Sequence, residues 1–402
     1  MSILKDGINL TKGGFFQNAI LFASFFTFYF VFLLYLIPEV VGSSIDPLTM
    51  QTIFSFTVAG TMILSSFLRH KLLKRSIIFV SAALTSLFTF FLLFASGSIL
   101  SLLSVLIVGV FFAIGQLLFF IQFWNSTFSE ERGRVGGVIG IITLPFYFVI
   151  NTIAASGLGI FGTVLITTVL ALVPVVVIAL KPIKIVPLVR RPSAFPEKRT
   201  IFLYLIPWIL FSIIDTTLAK NIALGASQVI SPSAFELIVI LQTVAALVGT
   251  LLGGFLVDFF GRRPTLVLSV TLYGIGMALS GLIQSATIAF FAFFAEGLSW
   301  GILLIIYSFV IWGDLANKEN CSKLYAIGLA VFYMAVGVGR IPTEIFLLPV
   351  VASALLGCSL IFFSNVPIAL APELQSADFR EKIMMKMHIK AAKKTAKEFE
   401  NH

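Results

Sequence analysis

Apolar runs of about 20 residues, the length an α-helix needs to cross a hydrocarbon core, follow one another from residue 15 to residue 371. Hydrophobic residues make up 59% of the chain and charged residues 11%, which sets the class as a polytopic, all-α membrane protein. The first 14 residues, MSILKDGINLTKGG, are polar and lead straight into a full-length span. No small-residue cleavage site follows a short apolar core, so no cleaved signal peptide is expected.

Breaking the runs at charge, Gly and Pro clusters predicts twelve helices. Six lie near 15–38, 48–69, 76–96, 99–124, 134–156 and 160–181, and six near 200–224, 235–258, 264–285, 287–313, 323–347 and 349–371. An even count puts both termini on one side. Of the 27 Lys and Arg, all but Lys220 and Arg340 fall in the termini or in alternate loops, which marks that side as cytoplasmic in a multi-pass plasma-membrane protein. The net charge of +9 then serves anionic lipid headgroups, and no nucleic-acid partner is expected.

Cys321, in a cytoplasmic connection, and Cys358, inside the last span, are expected as free thiols. His70, His388 and His402 all lie in cytoplasmic segments, so no metal site is predicted. No H-E-x-x-H or G-x-S-x-G sequence occurs, and no enzymatic activity is expected. The longest interruption, KPIKIVPLVRRPSAFPEKRT, carries four prolines and six positive charges after the sixth span. It divides the chain into a cytoplasmic N-terminus (1–14), a six-helix bundle (15–181), a basic linker (182–199), a second six-helix bundle (200–371) and a basic tail (372–402). Transporters built from parallel repeats place their solute site between two such halves.

At the inner end of helix 8, GGFLVDFFGRRPTL sets Gly254, Asp258, Gly261, Arg262 and Arg263 in the pattern G-x-x-x-D-x-x-G-R-R. Gly254 lets helices approach, Gly261 permits a tight turn, and the charged residues can meet helix ends and acids. The equivalent stretch after helix 2, SFLRHKLLKRS, has Ser66 and His70 in place of the Gly and Asp and keeps the charge pair Lys74 and Arg75. After helix 4 comes WNSTFSEERGRVGGVIG, with Glu130, Glu131, Arg132, Gly133 and Arg134; WGDLANKENCSKLYAIG after helix 10, with Asp314 and Lys323, is its weaker counterpart. Together these resemble the loop signatures of the major facilitator superfamily, nearest to its sugar-porter and phosphate-symporter branches, over residues 15 to 371.

The resemblance implies alternating access, in which two bundles rock about a central cavity while cytoplasmic loops act as a latch in one state. By that analogy Asp258 faces the N-terminal end of helix 5, and Arg262 or Arg263 reaches Glu130 or Glu131. Arg262 and Arg263 serve equally well as positive-inside topology signals.

At ~1.5 Å per residue, Arg340, Asp215 and Glu296 share a level roughly 22–24 Å from the inner face. Lys220 and Glu344 share another, four or five residues further out. Each buried charge costs roughly 2.5–3.5 kcal/mol at a helix centre, so pairing or a wet cavity is expected. Arg340 is predicted to answer Asp215 or Glu296, and Glu344 to answer Lys220, with an Arg340 to Glu344 contact as the competing pairing. Three carboxylates against two cations leave one over. Glu296, without a cation on its own helix, is predicted to be that surplus acid and the proton carrier; the competing reading has it completing a carboxylate pair around Arg340.

The first six spans carry no core charge. Gln116, Asn151 and Tyr147 are candidate solute contacts there, with interhelical packing contacts as the alternative for Gln116 and Asn151. The 43 phenylalanines are expected mostly on lipid-facing surfaces. The tail, with Phe379, Ile383 and Met387 on one stripe beside seven positive residues, reads as a membrane-surface helix or as a solubilising tail. The expected function is secondary transport of a small organic solute, a sugar or an organic anion, by a monomer that uses protons as coupling ion and no cofactor. The alternatives are a proton-antiport exporter of amphipathic compounds and a membrane solute receptor that moves nothing.

The orientation can be tested by labelling. In a background lacking Cys321 and Cys358, single cysteines at Ser43 or Ser44 should react with an impermeant maleimide from outside, and one at Ser193 only from inside. Reversed labelling would overturn the assignment of faces.

Overall fold

In the computed structural model the described residues are 12–41, 46–67, 75–95, 99–180, 198–283, 285–317, 319–341 and 349–374, without the side chains of Lys12, Arg75 and Lys220. Twelve helices run through them. The first, α1, passes from Lys12–Val31 through a π-helical turn at Phe32–Leu36 into Ile37–Val41. Then come α2 (Pro47–Ser66), α3 (Arg75–Ala95), α4 (Ile99–Ser126), α5 (Arg132–Ala155) and α6 (Gly159–Leu180). The second half holds α7 (Lys198–Val229), α8 (Pro232–Phe259) and α9 (Arg262–Ser280). It continues with α10, which runs from Ala286–Ile305 through a π-helical turn at Ile306–Val310 to Ile311–Leu315, and ends with α11 (Cys321–Val338) and α12 (Val350–Leu370). Eleven of the twelve are long and apolar enough to cross a membrane. The exception, α9, opens on Arg262 and Arg263 and carries Ser269, Tyr273 and Ser280 on its buried side, which lowers its mean hydropathy. Its polarity faces protein and not lipid.

Local chemistry sets the boundaries. Asp46 caps α2, its Oδ2 accepting the Thr49 amide at 2.8 Å with Pro47 at the first helical position. Ser285 starts α10 in the same way. Gly261, at φ +107°, makes the turn between α8 and α9 that a side chain would strain.

One predicted boundary is wrong. Helix 11 was expected to reach residue 347, and it stops at Val338, with Gly339, Arg340 and Ile341 in a turn. Gly337 and Gly339 weaken the helix there, and Pro342 disfavours helical backbone at Ile341. Four sequence expectations fall outside the described residues: the loop after α2 with His70 and Lys74, the linker 181–197, Glu344, and the tail beyond residue 374.

The principal helix contacts form two matching sets. In the first half α1 packs on α5 and α6, α2 on α4, and α3 on α4 and α6. In the second, α7 packs on α11 and α12, α8 on α10, and α9 on α10 and α12. Adding six to each helix number turns one set into the other. The bundles meet through α5 against α8 and α2 against α11, two pairs that the same operation exchanges. An internal repeat with a pseudo-twofold axis between its halves follows.

The described phenylalanines divide between the outer surface and the interior. Phe22, Phe25, Phe28 and Phe32 of α1 and Phe112, Phe119, Phe120 and Phe123 of α4 are buried. Other phenylalanines, such as Phe90, Phe94 and Phe161, do lie on the outer surface. Both α1 and α4 are flanked on several sides by other helices, so their rings fill the interior, as in the 4.7 Å contact of Phe22 with Phe309 across the two bundles.

Small residues set the closest approaches. A Cβ at Gly301 of α10 would lie 2.0 Å from the Ala246 carbonyl oxygen of α8, whereas one at Gly60 of α2 would meet nothing within 4 Å. Gly301→Ala should therefore cost about 1–3 kcal/mol by overpacking. Gly60→Ala should be neutral or stabilising by up to about 1 kcal/mol. Melting temperatures of the two variants in detergent check this, and equal effects would refute it.

Candidate functional site

The ends of α4, α8 and α10 and the starts of α5 and α9 meet on one face of the molecule, which holds Arg132, Arg134, Arg262 and Arg263 and is here called the basic face. All the ion pairs among the described residues lie there. Asp258, at the end of α8, points its carboxylate at the first turn of α5, where Oδ1 accepts the Gly133 amide at 3.2 Å and Oδ2 the Arg134 amide at 2.8 Å. The unsatisfied amides and positive dipole end of a helix hold an anion well. Gly133 is required at this spot, since a Cβ would fall 2.6 Å from Asp258 Oδ1. The Arg134 guanidinium adds a 3.3 Å contact to the same carboxylate.

A second carboxylate organises the rest. Asp314, at the end of α10, accepts from Arg132 of the first bundle and, at 2.7 Å, from Arg262 Nε of α9. It also accepts the Ser129 hydroxyl at 2.8 Å. Arg262 further bonds the Val257 carbonyl, Asp258 Oδ1 and the Ser129 carbonyl. Trp124 of α4 closes the group by donating to the Gly313 carbonyl at 2.8 Å. Arg132, Arg262, Asp258 and Asp314 are all at most 2% exposed, so every charge is desolvated and depends on its partners.

The partner expected for Arg262 is thus corrected: Asp314 takes it, and Glu130 and Glu131 do not. Glu131 is buried and turned back on its own loop, accepting the Phe128 amide at 3.2 Å. Arg263 points the other way, toward the Ala371 carbonyl after α12. Glu373 in that segment caps α9, accepting the amides of Arg262 at 2.8 Å and Arg263 at 3.0 Å. Nothing in the sequence patterns singled out Glu373. Asp314 was visible only as the weaker copy of a loop motif.

Inside the second bundle, two acids occupy a polar pocket between α7, α9 and α10. Asp215 accepts from the Tyr273 hydroxyl at 3.0 Å and from Trp300 Nε1 at 3.4 Å. Glu296 accepts from the Ser280 hydroxyl at 2.9 Å and is 5% exposed. Gly276 makes room for it, since a Cβ there would be 2.7 Å from Glu296 Cγ.

The predicted pairing of Arg340 with Asp215 or Glu296 is not formed, although α7 and α11 do pack together. Helix 11 ends before Arg340; Asp215 is held by side chains of α9 and α10, and Glu296 by one of α9. The predicted pairing of Lys220 with Glu344 lies outside the described side chains.

Between the bundles the seam is aromatic. Tyr29 of α1 meets Tyr333 of α11 edge-on at 4.6 Å, and the Tyr333 hydroxyl bonds Gln116 of α4. Gln116 is thus a contact between bundles. Tyr147 packs against Phe26 and Phe30 of α1. Asn151, one turn further along α5, leaves its buried Oδ1 without a hydrogen bond.

The network on the basic face makes a direct prediction. Asp314→Asn withdraws the charge that Arg132 and Arg262 share and should cost about 3–5 kcal/mol. Glu130→Gln should stay within about 0.5 kcal/mol, as only its backbone carbonyl, which the substitution leaves in place, meets the network, at 3.1 Å from Arg134. Melting curves of the two variants in detergent decide it: an unchanged Asp314→Asn would mean that the buried charges are satisfied by water.

No protein-family model and no curated protein sequence matches the chain. Solved structures do. The Escherichia coli fucose:proton symporter FucP aligns at a TM-score of 0.71 over 90% of this chain and 98% of its own, at 11% identity. The proton:xylose symporter XylE aligns at 0.65 over 92% and 97%, at 12% identity. The human organic anion transporter MFSD10 aligns at 0.63 over 88% and 97%, at 13% identity. Likeness so complete at such low identity is a likeness of fold. With its twelve helices in two bundles, eleven of them long and apolar enough to cross a membrane, its internal repeat and these structural neighbours, the chain has the major facilitator fold.

Proposed function

We propose that this protein is a secondary active transporter of a small organic solute, working by alternating access with protons as the coupling ion. The observation that carries the proposal is the ion network on the basic face. Its contacts Arg132 to Asp314, Arg134 to Asp258 and Arg262 to the Ser129 carbonyl join one bundle to the other. Contacts of this kind hold only while the bundles are closed on that side. Rocking about the α5–α8 and α2–α11 seams would break them together, making them a latch for one state of two.

The glycine contacts between α5 and α8, from Gly133 to Gly140, lie in the half of α5 next to the basic face. Toward its other end α5 exposes Phe146, Phe148, Val149 and Ile153. In this reading the conformer is shut toward the basic face, which is the cytoplasmic side of the plasma membrane by its positive charge. The names of two structural neighbours, the fucose and xylose symporters, agree with proton symport.

Proton carriage falls to Glu296. It is buried, it bonds only a hydroxyl, and no cation pairs with it among the described residues. Asp215 is a second acid nearby that, among the described side chains, is bonded to neutral donors and to no cation. A proton moved across the membrane supplies about 2.3 kcal/mol per 100 mV.

Glu296→Gln in proteoliposomes is the test, using a solute found by a thermal-shift screen of sugars, organic acids and phosphates. Counterflow should persist while pH-driven accumulation is lost. If the variant still accumulates solute with unchanged pH dependence, Asp215 takes the role. Wild-type protein that moves no solute that it binds would leave only a receptor.

A further inference from the structure

We propose that Arg340 is the anion-recognising group of the solute site and that the solute is a small organic oxyanion on a flat or apolar body. This rests on the transport reading above and narrows it to a substrate class. The sequence left two outcomes open, because an Arg340 neutralised by Asp215 would suit an uncharged sugar. The structure removes that neutralisation: Asp215 is bonded to Tyr273 and Trp300, and Glu296 to Ser280.

Position comes first. The Arg340 amide donates to the Gly337 carbonyl at 3.1 Å, and that carbonyl also accepts the Thr52 hydroxyl of α2 at 3.2 Å. Arg340 is therefore anchored on the α2–α11 seam between the bundles. The residue before it, Gly339, is pressed against α7, where a Cβ would lie 2.3 Å from the Thr216 carbonyl oxygen. From that level α7 runs on to Val229, and α1 runs on from Tyr29 to Val41. Arg340 thus lies below the ends of the flanking helices and is half-buried, not spread on a membrane surface.

Chemistry comes second. The guanidinium is always charged and presents five donors in a planar fork that matches a carboxylate or phosphate. Among the described residues no carboxylate or carbonyl oxygen is bonded to it, and its electrostatic neighbour is the Tyr29 hydroxyl. A cation in this position needs a counter-charge or water. Beyond the buried pair Tyr29 and Tyr333, which pack on each other and on Phe54 and Phe112, stand Phe30 and Phe332, 6.5 Å apart and both partly exposed. These two rings offer an apolar face. An organic cation would meet the like charge of Arg340. A neutral polyol would leave the fork unpaired.

Binding to the purified full-length protein tests this without any transport measurement. Titrations would use paired probes: benzoate against benzamide, phenyl phosphate against phenol, succinate against succinamide, and D-glucose alone. At least one anion should bind, with its neutral partner at least about tenfold weaker. Arg340→Gln should abolish that difference, and Arg340→Lys should keep part of it because charge remains without the fork. The benzoate and phenyl phosphate arms separate a carboxylate from a phosphate substrate. Should Arg340→Gln fail to fold, the wild-type comparison of each anion with its neutral partner still decides. Binding of neutral probes alone, binding of no anion, or anion binding that survives a folded Arg340→Gln would overturn the proposal. An anion that binds through Arg340 and is not moved in proteoliposomes would overturn the transport reading and leave this one standing.

Discussion

The packing of the two bundles depends on the anchoring of two buried carboxylates, Asp258 and Asp314, by three arginines and a helix end. Each carboxylate alone would be costly in so buried a site. Together with Arg132, Arg134 and Arg262 they form a network in which nearly every donor and acceptor is used. The glycines around it follow from the same requirement. Gly133 brings the first turn of α5 onto Asp258, and Gly254 lets the two backbones approach until a Cβ would sit 2.5 Å from the Gly133 carbonyl oxygen.

The repeat predicts a second copy of this network between α11 and α2. Among the described residues the start of α11 meets the end of α2 through a neutral bond, Ser322 hydroxyl to Ser66 carbonyl at 3.2 Å, and through Lys323 over the Phe67 ring. In sequence, Ser66 stands where the other half has Gly254, and His70 where it has Asp258. On the α5–α8 side, Glu373 ties the segment after α12 to the network by capping α9 beside Arg262.

The second bundle also holds Asp215 and Glu296, the two acids bonded only to neutral side chains within the spans, while the first contributes Tyr29, Gln116 and Tyr147 to the seam. Under the proposals made here, proton handling and solute capture sit in adjacent but separate places linked by α7 and α11. A carboxylate in a closed pocket can exchange a proton without meeting the solute, provided that the helices around it move when the bundles rock.

Much of this was legible in the sequence. The spans and their number are properties of hydropathy counted along the chain, and most helix ends agree within a few residues because Pro, Gly and capping residues act locally. The carboxylate at the end of α8 was legible too, since an acid beside a glycine-arginine turn has few local uses. The direction in which each buried charge turns was not. Depth along a helix follows from residue number, so Asp215, Glu296 and Arg340 could be placed at one level; azimuth and the true end of α11 depend on neighbours far away in sequence. Tyr273, Trp300 and Ser280 were close enough to claim the acids, and a helix stop at Val338 carried Arg340 out of their reach. The sequence by itself determined which charges lie in the membrane. Only the packing of helices decided which of them meet, because a hydrogen bond needs a partner within about 3 Å and one-dimensional spacing cannot supply one.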